Sequence, residues 1–369
     1  MHVGYTATFQ NPFDALSDQE VYRQELRLCD LAVELGLESL WTVEHHFDDY
    51  TMCPDPTQWL SYMAGKHPHV LLGSGVIVLP WHDPIRVAEQ VALLDNLCDG
   101  RMILGLGRGL ARIEYEGFRV DMNTSRERFV EYVRLVLEAL ESGSMEYDNE
   151  FGAQPRRQIR PRPAHSFRGR AYAAAVSPES MPLMAKLGVG VLIIPQKPWP
   201  TVQEDLAAYD GAYRAANAGA SPPPPISGGS VFVDESADRA EELARRWIGA
   251  NYETVMRHYE FASAPHKGVK GYEFYTGITR YIDRHGTQGA IDDFVGLMPW
   301  GTPDQVLAKF EHMRTMIGMN AVTPSFCYGG MPYADAEQSM RLFAERCLPE
   351  LKSWDTAPLD IPAAVTATG

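Results

Sequence analysis

The chain has 369 residues, 45% of them apolar, which is enough to bury the core of two ordinary domains or one large barrel. The 48 Asp and Glu residues outnumber the 33 Lys and Arg residues, and the net charge of −15 argues against nucleic acid as a partner. No segment approaches the roughly 20 apolar residues of a membrane span, and residues 1–11 do not resemble a signal peptide. We therefore expect a cytoplasmic protein with no membrane partner.

Short apolar strands alternate with amphipathic helices along the chain. Strands are predicted over residues 2–9, 39–43, 70–79, 101–106, 170–175, 191–194, 226–233 and 321–326. A helical face at Leu28, Leu31, Ala32 and Leu35 precedes Gly36, a typical helix end. Further helices are predicted over residues 84–97, 125–140, 178–187, 201–216, 236–253, 303–316 and 334–348.

Eight strands in this alternation predict a parallel (β/α)8 TIM barrel, in the α/β class, rather than two doubly wound halves. The barrel domain is predicted over residues 1–350, with a C-terminal tail at 351–369. Two stretches interrupt the alternation and are interpreted as insertions. Residues 142–166 follow the fourth helix, and residues 259–298 lie between the seventh helix and the eighth strand, where they could cap the barrel mouth.

The five cysteines are odd in number and widely spaced, so we expect reduced thiols rather than a zinc site or a redox pair. Glu44-His45-His46 follows the second strand, at the barrel end where active sites lie. Because neighbouring residues on a strand face opposite ways, both histidines are not expected to reach one metal ion. The alternatives are one histidine that transfers a proton, or two packing histidines.

Three glycine- or serine-containing segments could hold a ligand at the same barrel end. Residues 105–110 read Gly-Leu-Gly-Arg-Gly-Leu and offer backbone N–H groups beside Arg108, which suits a phosphate, although a tight turn is the alternative. Ser177 precedes Pro178, Glu179 and Ser180, and this helix start either binds an anion or is simply capped. Gly73 and Gly75, within the third strand, allow either a flat ligand to approach or a twisted strand.

Read together, these motifs resemble the bacterial luciferase-like, flavin-dependent monooxygenases. The resemblance rests on residues 40–47, 76–80, 84–95, 100–110, 121–126, 301–303 and 329–332, in that order along the chain. It implies a TIM barrel that binds reduced FMN and activates O2 as a C4a-peroxyflavin. It also implies a separate flavin reductase that supplies FMNH2, a small organic substrate that is hydroxylated or undergoes Baeyer–Villiger oxidation, and a homodimer.

The resemblance also assigns roles to individual residues. His45 matches the active-site histidine, and Gly75 and Val76 match residues that pack on the flavin ring, often across a non-prolyl cis peptide. Arg108, Gly109 and Leu110 match the phosphate loop, which Ser177, Pro178, Glu179 and Ser180 complete. No metal is implied. We further predict a substrate pocket lined by Phe9, Ala111, Tyr115 and Pro195.

Departures from luciferase argue against light emission from a long-chain aldehyde. Gly107 replaces a reactive cysteine, Val176 a glutamate and Pro195 an aromatic residue. Two other functions stay open: hydride transfer with the deazaflavin F420, and flavin binding without catalysis. The acidic balance of the chain disfavours the oligoglutamyl tail of F420.

Overall fold

The computed structural model describes residues 1–174, 177–263 and 268–361. Parallel strands form a closed barrel, because the first strand pairs with both the second and the last, and the third pairs with the fourth. The predicted (β/α)8 TIM barrel is therefore confirmed. The eight barrel strands, numbered one to eight below, are His2–Ala7, Ser39–Thr42, Leu71–Ser74, Met102–Gly107, Ala171–Ala174, Gly190–Ile193, Ile226–Ser230 and Ala321–Ser325.

The third strand is interrupted, whereas the sequence predicted one strand over residues 70–79. The Gly75–Val76 peptide bond is cis, and a short continuation, Ile77–Val78, pairs with the end of strand four. The Ser74 hydroxyl accepts from Gly105 N at 2.9 Å and donates to Gly105 O at 2.9 Å, which ties the interruption to the neighbouring strand. The periodicity missed the break because apolar residues continue on both sides of it, whereas the cis peptide that the family resemblance implies at Gly75–Val76 is present.

Helices surround the barrel. They span Asp18–Glu34, Pro56–Lys66, Pro84–Leu97, Arg112–Phe118, Ser125–Ser142, Met181–Leu187, Trp199–Ala216, Ala237–His258, Glu273–Leu297, Pro303–Ile317, Tyr333–Arg346 and Leu348–Ser353. Of these, Pro56–Lys66 and Arg112–Phe118 were not predicted, because short helices carry little periodic signal. None of the helices in the described parts of the chain is long and apolar enough to cross a bilayer.

Both predicted insertions carry regular structure that the sequence did not indicate. The first contains an antiparallel hairpin, Ser144–Asn149 with Gly152–Gln158. The second contains the long helix Glu273–Leu297, whose φ/ψ angles break at Gly286. Its contacts with helix Ala237–His258 bring it over the barrel mouth. The aromatic, histidine and glycine residues of the second insertion predicted a loop. Packing against helix Ala237–His258 instead stabilises a helix in this segment.

The apolar core lies mainly between the strands and the helices, and a second cluster fills the barrel interior. In that interior, the Trp41 ring occupies the space left by Gly73, where a Cβ atom would lie 2.3 Å from the ring. All five cysteines are buried and free, in line with the expected reduced thiols. The closed interior leaves the carboxyl ends of the strands as the face on which a site can form.

Candidate active site

Two cavities open at the carboxyl ends of the strands. The rim cavity lies beyond strands three to six and is lined by Val43, Glu44, His45, Gly75, Val76, Val78, Trp81, Gly107, Arg108, Gly109, Leu110, Arg126, Phe129, Ala174, Ser180, Leu183, Met184, Ile194, Gln196, Tyr259 and Tyr275. The mouth cavity lies over the barrel axis and is lined by Thr6, Thr8, Gln10, Trp41, Val43, His45, Tyr50, Thr51, Gly75, Leu192, Ile193, Ile194, Pro195, Gln196, Ile226, Gly228, Gly229, Ser230, Asn251, Val255, Tyr259, Phe294, Met298, Thr323, Ser325 and Tyr328. Both cavities share Val43, His45, Gly75, Ile194, Gln196 and Tyr259. His45 therefore stands where the two meet.

The two adjacent histidines bond to different carboxylates. His45 Nδ1 lies 3.0 Å from Glu114 Oε1, whereas His46 Nε2 lies 3.1 Å from Glu44 Oε1. Glu44 also binds His82 Nε2 at 2.6 Å and accepts from Val78 N at 2.7 Å. Strand two ends at Thr42, so both histidines lie beyond it, and their divergence comes from the two carboxylates rather than from the strand alternation assumed from the sequence.

Glu114 connects His45 to His258, the last residue of helix Ala237–His258. His258 Nε2 lies 3.6 Å from Glu114 Oε1, and His258 Nδ1 lies 2.6 Å from Asp48 Oδ2. Burial opposes the charge on Glu114, but the charge of His45 and the nearby His258 ring outweigh it and lower the pKa of Glu114 to about 2. Burial likewise opposes the charge on His258, yet the hydrogen bond to Asp48 and the nearby Glu114 carboxylate raise the pKa of His258.

Because an ionised carboxylate only accepts hydrogen bonds, the ionised Glu114 assigns a hydrogen to His45 Nδ1. Nε2 is then the nitrogen of His45 that can take up or release a proton at the junction of the cavities. Ligand atoms of His45, Glu114 and His258 lie within 4.8 Å of one another, a spacing that a metal site would also need. Direct bonds of 3.0 Å from Glu114 to His45 and 2.6 Å from His258 to Asp48 account for the arrangement.

The glycine-rich loop after strand four turns its backbone around the rim cavity. Gly109 has φ of +81°, and a Cβ atom there would lie 2.7 Å from the Trp81 ring. At Gly107 a Cβ atom would lie 2.2 Å from the Val76 side chain, so the missing side chain makes room for Val76. Glycine at both positions is therefore required by close approach.

Two guanidinium groups converge in this cavity. Arg108 Nη1 and Arg126 Nη2 both donate to the Gly271 carbonyl, at 2.7 and 3.0 Å. The Arg108 guanidinium also lies over the Tyr272 ring, 4.0 Å from its centroid. Arg126 Nε is buried and has no hydrogen-bond partner among the residues that the structure describes. The pair therefore offers positive charge and an unused donor to an anion.

The Ser177–Ser180 segment contributes less directly than predicted. Ser180 lines the rim cavity, but Ser177 is buried and its hydroxyl bonds to the Ser180 hydroxyl at 2.8 Å instead of capping a backbone N–H. Pro178 and Glu179 are exposed, in a short 3-10 turn before helix Met181–Leu187. The predicted continuous helix over residues 178–187 is thus a turn followed by a shorter helix.

The residues predicted for a substrate pocket are not brought together. Pro195 lines the mouth cavity, whereas Phe9 lies in the core against Tyr22 and Trp59. Ala111 is buried at the start of helix Arg112–Phe118, outside the lining of both cavities. Tyr115 lies behind the loop, where its hydroxyl donates to the Arg108 carbonyl. Val176, which replaces a glutamate of luciferase, lies outside the described residues.

Several residues of the site were missed from the sequence. Glu114 and His258 carry no local motif, and only the fold brings them to His45. Arg126 belonged to a segment that resembles the family, and that signal could have identified it. Gln196 lines both cavities, and its Oε1 atom is buried without a partner.

Comparisons with known proteins agree with this geometry. The sequence profile of the luciferase-like monooxygenases matches residues 1–320. The alkanal monooxygenase alpha chain of Photorhabdus luminescens is 25% identical over 94% of this chain and 96% of its own length. The oxygenase component of the flavin-dependent trigonelline monooxygenase of Acinetobacter baylyi is 29% identical over 49% of this chain and 51% of its own length.

Solved structures show the same fold. The monooxygenase RslO1 from Streptomyces bottropensis has a TM-score of 0.76 and 26% identity, covering 95% of this chain and 99% of its own. The oxygenating constituent of 3,6-diketocamphane monooxygenase from Pseudomonas putida, solved with FMN, has a TM-score of 0.70 and 15% identity, with coverage of 95% and 98%. The F420-dependent tetrahydromethanopterin reductase from Methanopyrus kandleri has a TM-score of 0.65 and 18% identity, with coverage of 95% and 100%. The chain belongs to the luciferase-like monooxygenase family, and it is an oxidoreductase.

Proposed function

We propose that this protein is the oxygenase component of a two-component system. A separate flavin reductase supplies FMNH2, and the protein uses it with O2 to hydroxylate a small organic substrate or to carry out a Baeyer–Villiger oxidation. The observation that carries the proposal is the arginine pair of the rim cavity, which lies beside a histidine–carboxylate pair. The relatives named as oxygenase components and the FMN-bound structure of the same fold support it.

The rim cavity fits a flavin phosphate at one end and an apolar ring at the other. Arg108, Arg126 and Ser180 would hold the phosphate, since two guanidinium groups and a hydroxyl suit an anion. Ser177 would position Ser180, and Pro178 and Glu179 would contribute only their backbone. The remaining predicted contacts to the flavin would form walls against the ring: Gly75, Val76, Gly109 and Leu110.

His45 would manage protons next to the reacting centre. Glu114 holds its Nδ1 hydrogen, which leaves Nε2 to take up or release a proton where the two cavities meet. When bound, reduced FMN supplies the two electrons that let one oxygen atom enter the substrate while the other leaves as water. The apolar walls of both cavities would exclude bulk water from this step.

A second candidate is hydride transfer with F420, because a reductase that depends on F420 shares the fold. The negatively charged oligoglutamyl tail of F420 would be repelled by a chain of net charge −15, which favours FMN as the cofactor.

We also propose a homodimer, supported by the exposed apolar side chains Tyr62 (53%), Leu93 (48%) and Leu97 (54%) on neighbouring helices. Sedimentation velocity of the purified protein would test the dimer. A cytoplasmic location stays a prediction.

The test is an anaerobic titration with FMNH2, followed by rapid mixing with oxygenated buffer. We expect binding, and then an oxygen-dependent absorbance change that differs from both oxidised and reduced FMN and outlasts that of free flavin. Binding of reduced F420 with no binding of FMNH2 would favour the second candidate. Binding of FMNH2 without any change in its reaction with oxygen would favour a flavin carrier without catalysis.

The arginine pair gives this proposal a binding test of its own. Replacing Arg108 with Ala should weaken FMN binding about 10- to 100-fold, because charge-assisted hydrogen bonds contribute about 1.5–3 kcal/mol. Arg134→Ala serves as the control, since Arg134 pairs with Glu131 and Glu138 on an exposed helix face and does not line the rim cavity. Equal FMN affinity in both variants would remove the phosphate assignment.

A further inference from the structure

We propose that the mouth cavity recognises an uncharged, ring-bearing molecule through a hydroxyl group, an alcohol or a phenol, that donates its hydrogen bond to the acceptor wall formed by the Thr6 and Thr8 hydroxyl oxygens. This inference rests on the proposed function, since it takes the mouth cavity as the place where the substrate meets the flavin. It adds a chemical class to the substrate and names the residues that select it.

The first argument is the missing charge. Among the described residues that line the mouth cavity, none is Asp, Glu, Lys or Arg. His45 is the ionisable group on the side shared with the rim cavity, and its Nδ1 is already bonded to Glu114. An ammonium group moved from water into this cavity would lose its hydration without meeting an Asp or Glu of the described lining, and a carboxylate would meet no Lys or Arg there. The lining therefore selects against charged substrates.

The second argument is the direction of the hydrogen bonds. Thr6 Oγ1 donates to the Thr323 carbonyl at 2.9 Å, and Thr8 Oγ1 donates to the Cys327 carbonyl at 3.0 Å. A hydroxyl has one hydrogen and two lone pairs, so each threonine keeps only acceptor capacity for a ligand. Thr6 lies in strand one and Thr8 follows its end at Ala7, and both threonines line the cavity. A ligand must bring a donor to this wall.

A second set of hydrogen bonds in the lining, from Gln10 to Ser230, has a defined direction as well. The Gly329 N–H can only donate, and it donates to Gln10 Oε1 at 2.7 Å. Gln10 Nε2 then donates to Asn251 Oδ1 at 2.9 Å, and Asn251 Nδ2 donates to Ser230 Oγ at 3.2 Å. Ser230 thus accepts within this chain of bonds and keeps its own hydrogen to offer. A second oxygen on the ligand, such as a carbonyl, would suit it.

The third argument is the aromatic wall. Rings of Trp41, Tyr259, Phe294 and Tyr328 line the cavity, and Met298 lies among them. Flat rings and a thioether pack best against another ring system. Together with the acceptor wall, they favour a cyclic molecule that carries a hydroxyl.

Three matched probes test the class without requiring turnover: 2-naphthol, 2-methoxynaphthalene and 2-naphthoate. All three contain the naphthalene ring. The first carries a hydroxyl that can donate a hydrogen bond, the second an ether that cannot, and the third a negatively charged carboxylate. Calorimetric titration of the flavin-free protein should give 2-naphthol a Kd about tenfold lower than those of the other two probes. The other two bring no hydrogen-bond donor, so the threonine oxygens that they cover lose their hydrogen bonds to water without gaining one from the ligand. FMN is titrated in parallel, so that failure of the flavin proposal is seen separately.

Variants of Thr8 test whether the preference for 2-naphthol depends on the acceptor wall. Thr8→Val should weaken 2-naphthol about five- to tenfold and leave 2-methoxynaphthalene within about twofold, and Thr8→Ser should restore 2-naphthol binding. Thr254→Val is the control, because the Thr254 hydroxyl also donates to a backbone carbonyl, at 2.7 Å from Asn251 O, but does not line the cavity.

Several outcomes would overturn the inference. They are equal binding of 2-naphthol and its methyl ether, tighter binding of 2-naphthoate, no binding of any probe, or the same loss for both neutral probes in Thr8→Val. If FMN binds normally while these results appear, the substrate class is wrong and the proposed oxygenase stands. If the probes behave as expected and FMN does not bind, the flavin proposal fails instead.

Discussion

The Glu-His-His run at residues 44–46 contributes to two separate carboxylate–histidine groups, which differ in their surroundings. The outer group is Glu44 with His46 and His82, and Glu44 also accepts from the Val78 backbone. The inner group is Glu114 with His45 and His258, at the junction of the cavities. In the inner group, Glu114 Oε2 and His258 Nε2 are buried without hydrogen-bond partners.

This difference separates a structural role from a chemical one. In the outer group, burial opposes ionisation, but hydrogen bonds from His46 and His82 outweigh it and lower the pKa of Glu44. That carboxylate joins the end of strand two to the segment after strand three. The inner group joins three distant parts of the chain, two of them helices, and presents His45 to both cavities. Glu44 of the outer group lines the rim cavity alone, so the inner group is the one placed to exchange protons where the two cavities meet.

The largest expected effect is the loss of His45. His45→Ala should slow the oxygen-dependent step in rapid mixing about 1,000-fold, as expected for a positioned proton-transfer group, while FMN affinity stays within about threefold. His46→Ala is the matched control and should lower the free energy of unfolding without changing this step in the folded fraction. Equal slowing by the two substitutions would erase the distinction between the groups.

The next effect concerns stability and its pH dependence. Glu114 has its pKa lowered to about 2, so its stabilisation is present above the ordinary carboxyl range and is lost as the pH falls toward 2. The pKa of His258 is raised, so its contribution is present below the ordinary value of 6.5 and is lost as the pH rises through the raised value. Both contributions coexist between about pH 4.5 and 6.5.

Glu114→Gln should therefore reduce the free energy of unfolding by about 3 kcal/mol in that window, and by less on either side of it. Urea unfolding at several pH values measures the difference. Glu44→Gln should also destabilise the protein, but without slowing the oxygen-dependent step. A constant difference between wild type and Glu114→Gln from pH 3 to pH 9 would contradict the coupling to His258.

A smaller effect is expected on the titration of His258 itself. Asp48→Asn and Glu114→Gln should each lower the pKa of His258, because each removes a carboxylate that stabilises the charged ring. NMR titration of the histidine ring protons follows this shift directly. His82 belongs to the outer group and should titrate unchanged in both variants; movement of His82 would show that the two groups are coupled.

The smallest expected effect is that of metal removal. The inner group has atoms within 4.8 Å of one another, and a metal ion bound there would replace its hydrogen bonds. We predict that prolonged dialysis against EDTA leaves both FMN binding and the oxygen-dependent step unchanged. Loss of activity that zinc or iron restores would turn the inner group into a metal site and overturn the assignment of His45.

Much of the fold could be predicted because its signals are local. Strand and helix periods and the glycines around Arg108 all lie within a few neighbouring residues. Periodicity missed short helices such as Arg112–Phe118 and the interruption of strand three at Gly75–Val76, where only the family resemblance implied a cis peptide. Their local patterns resemble loop and continuous strand, and contacts with other elements decide between them.

By itself, the sequence determined the barrel and placed His45, Arg108 and Gly75 at its carboxyl end, because the order of strands dictates which residues follow them. The tertiary structure alone decided which groups meet there. Glu114 lies 69 residues from His45, and Gly271 lies 163 residues from Arg108. Contacts over such separations depend on how the strands close and how helix Glu273–Leu297 packs over the mouth, and no local pattern records that geometry.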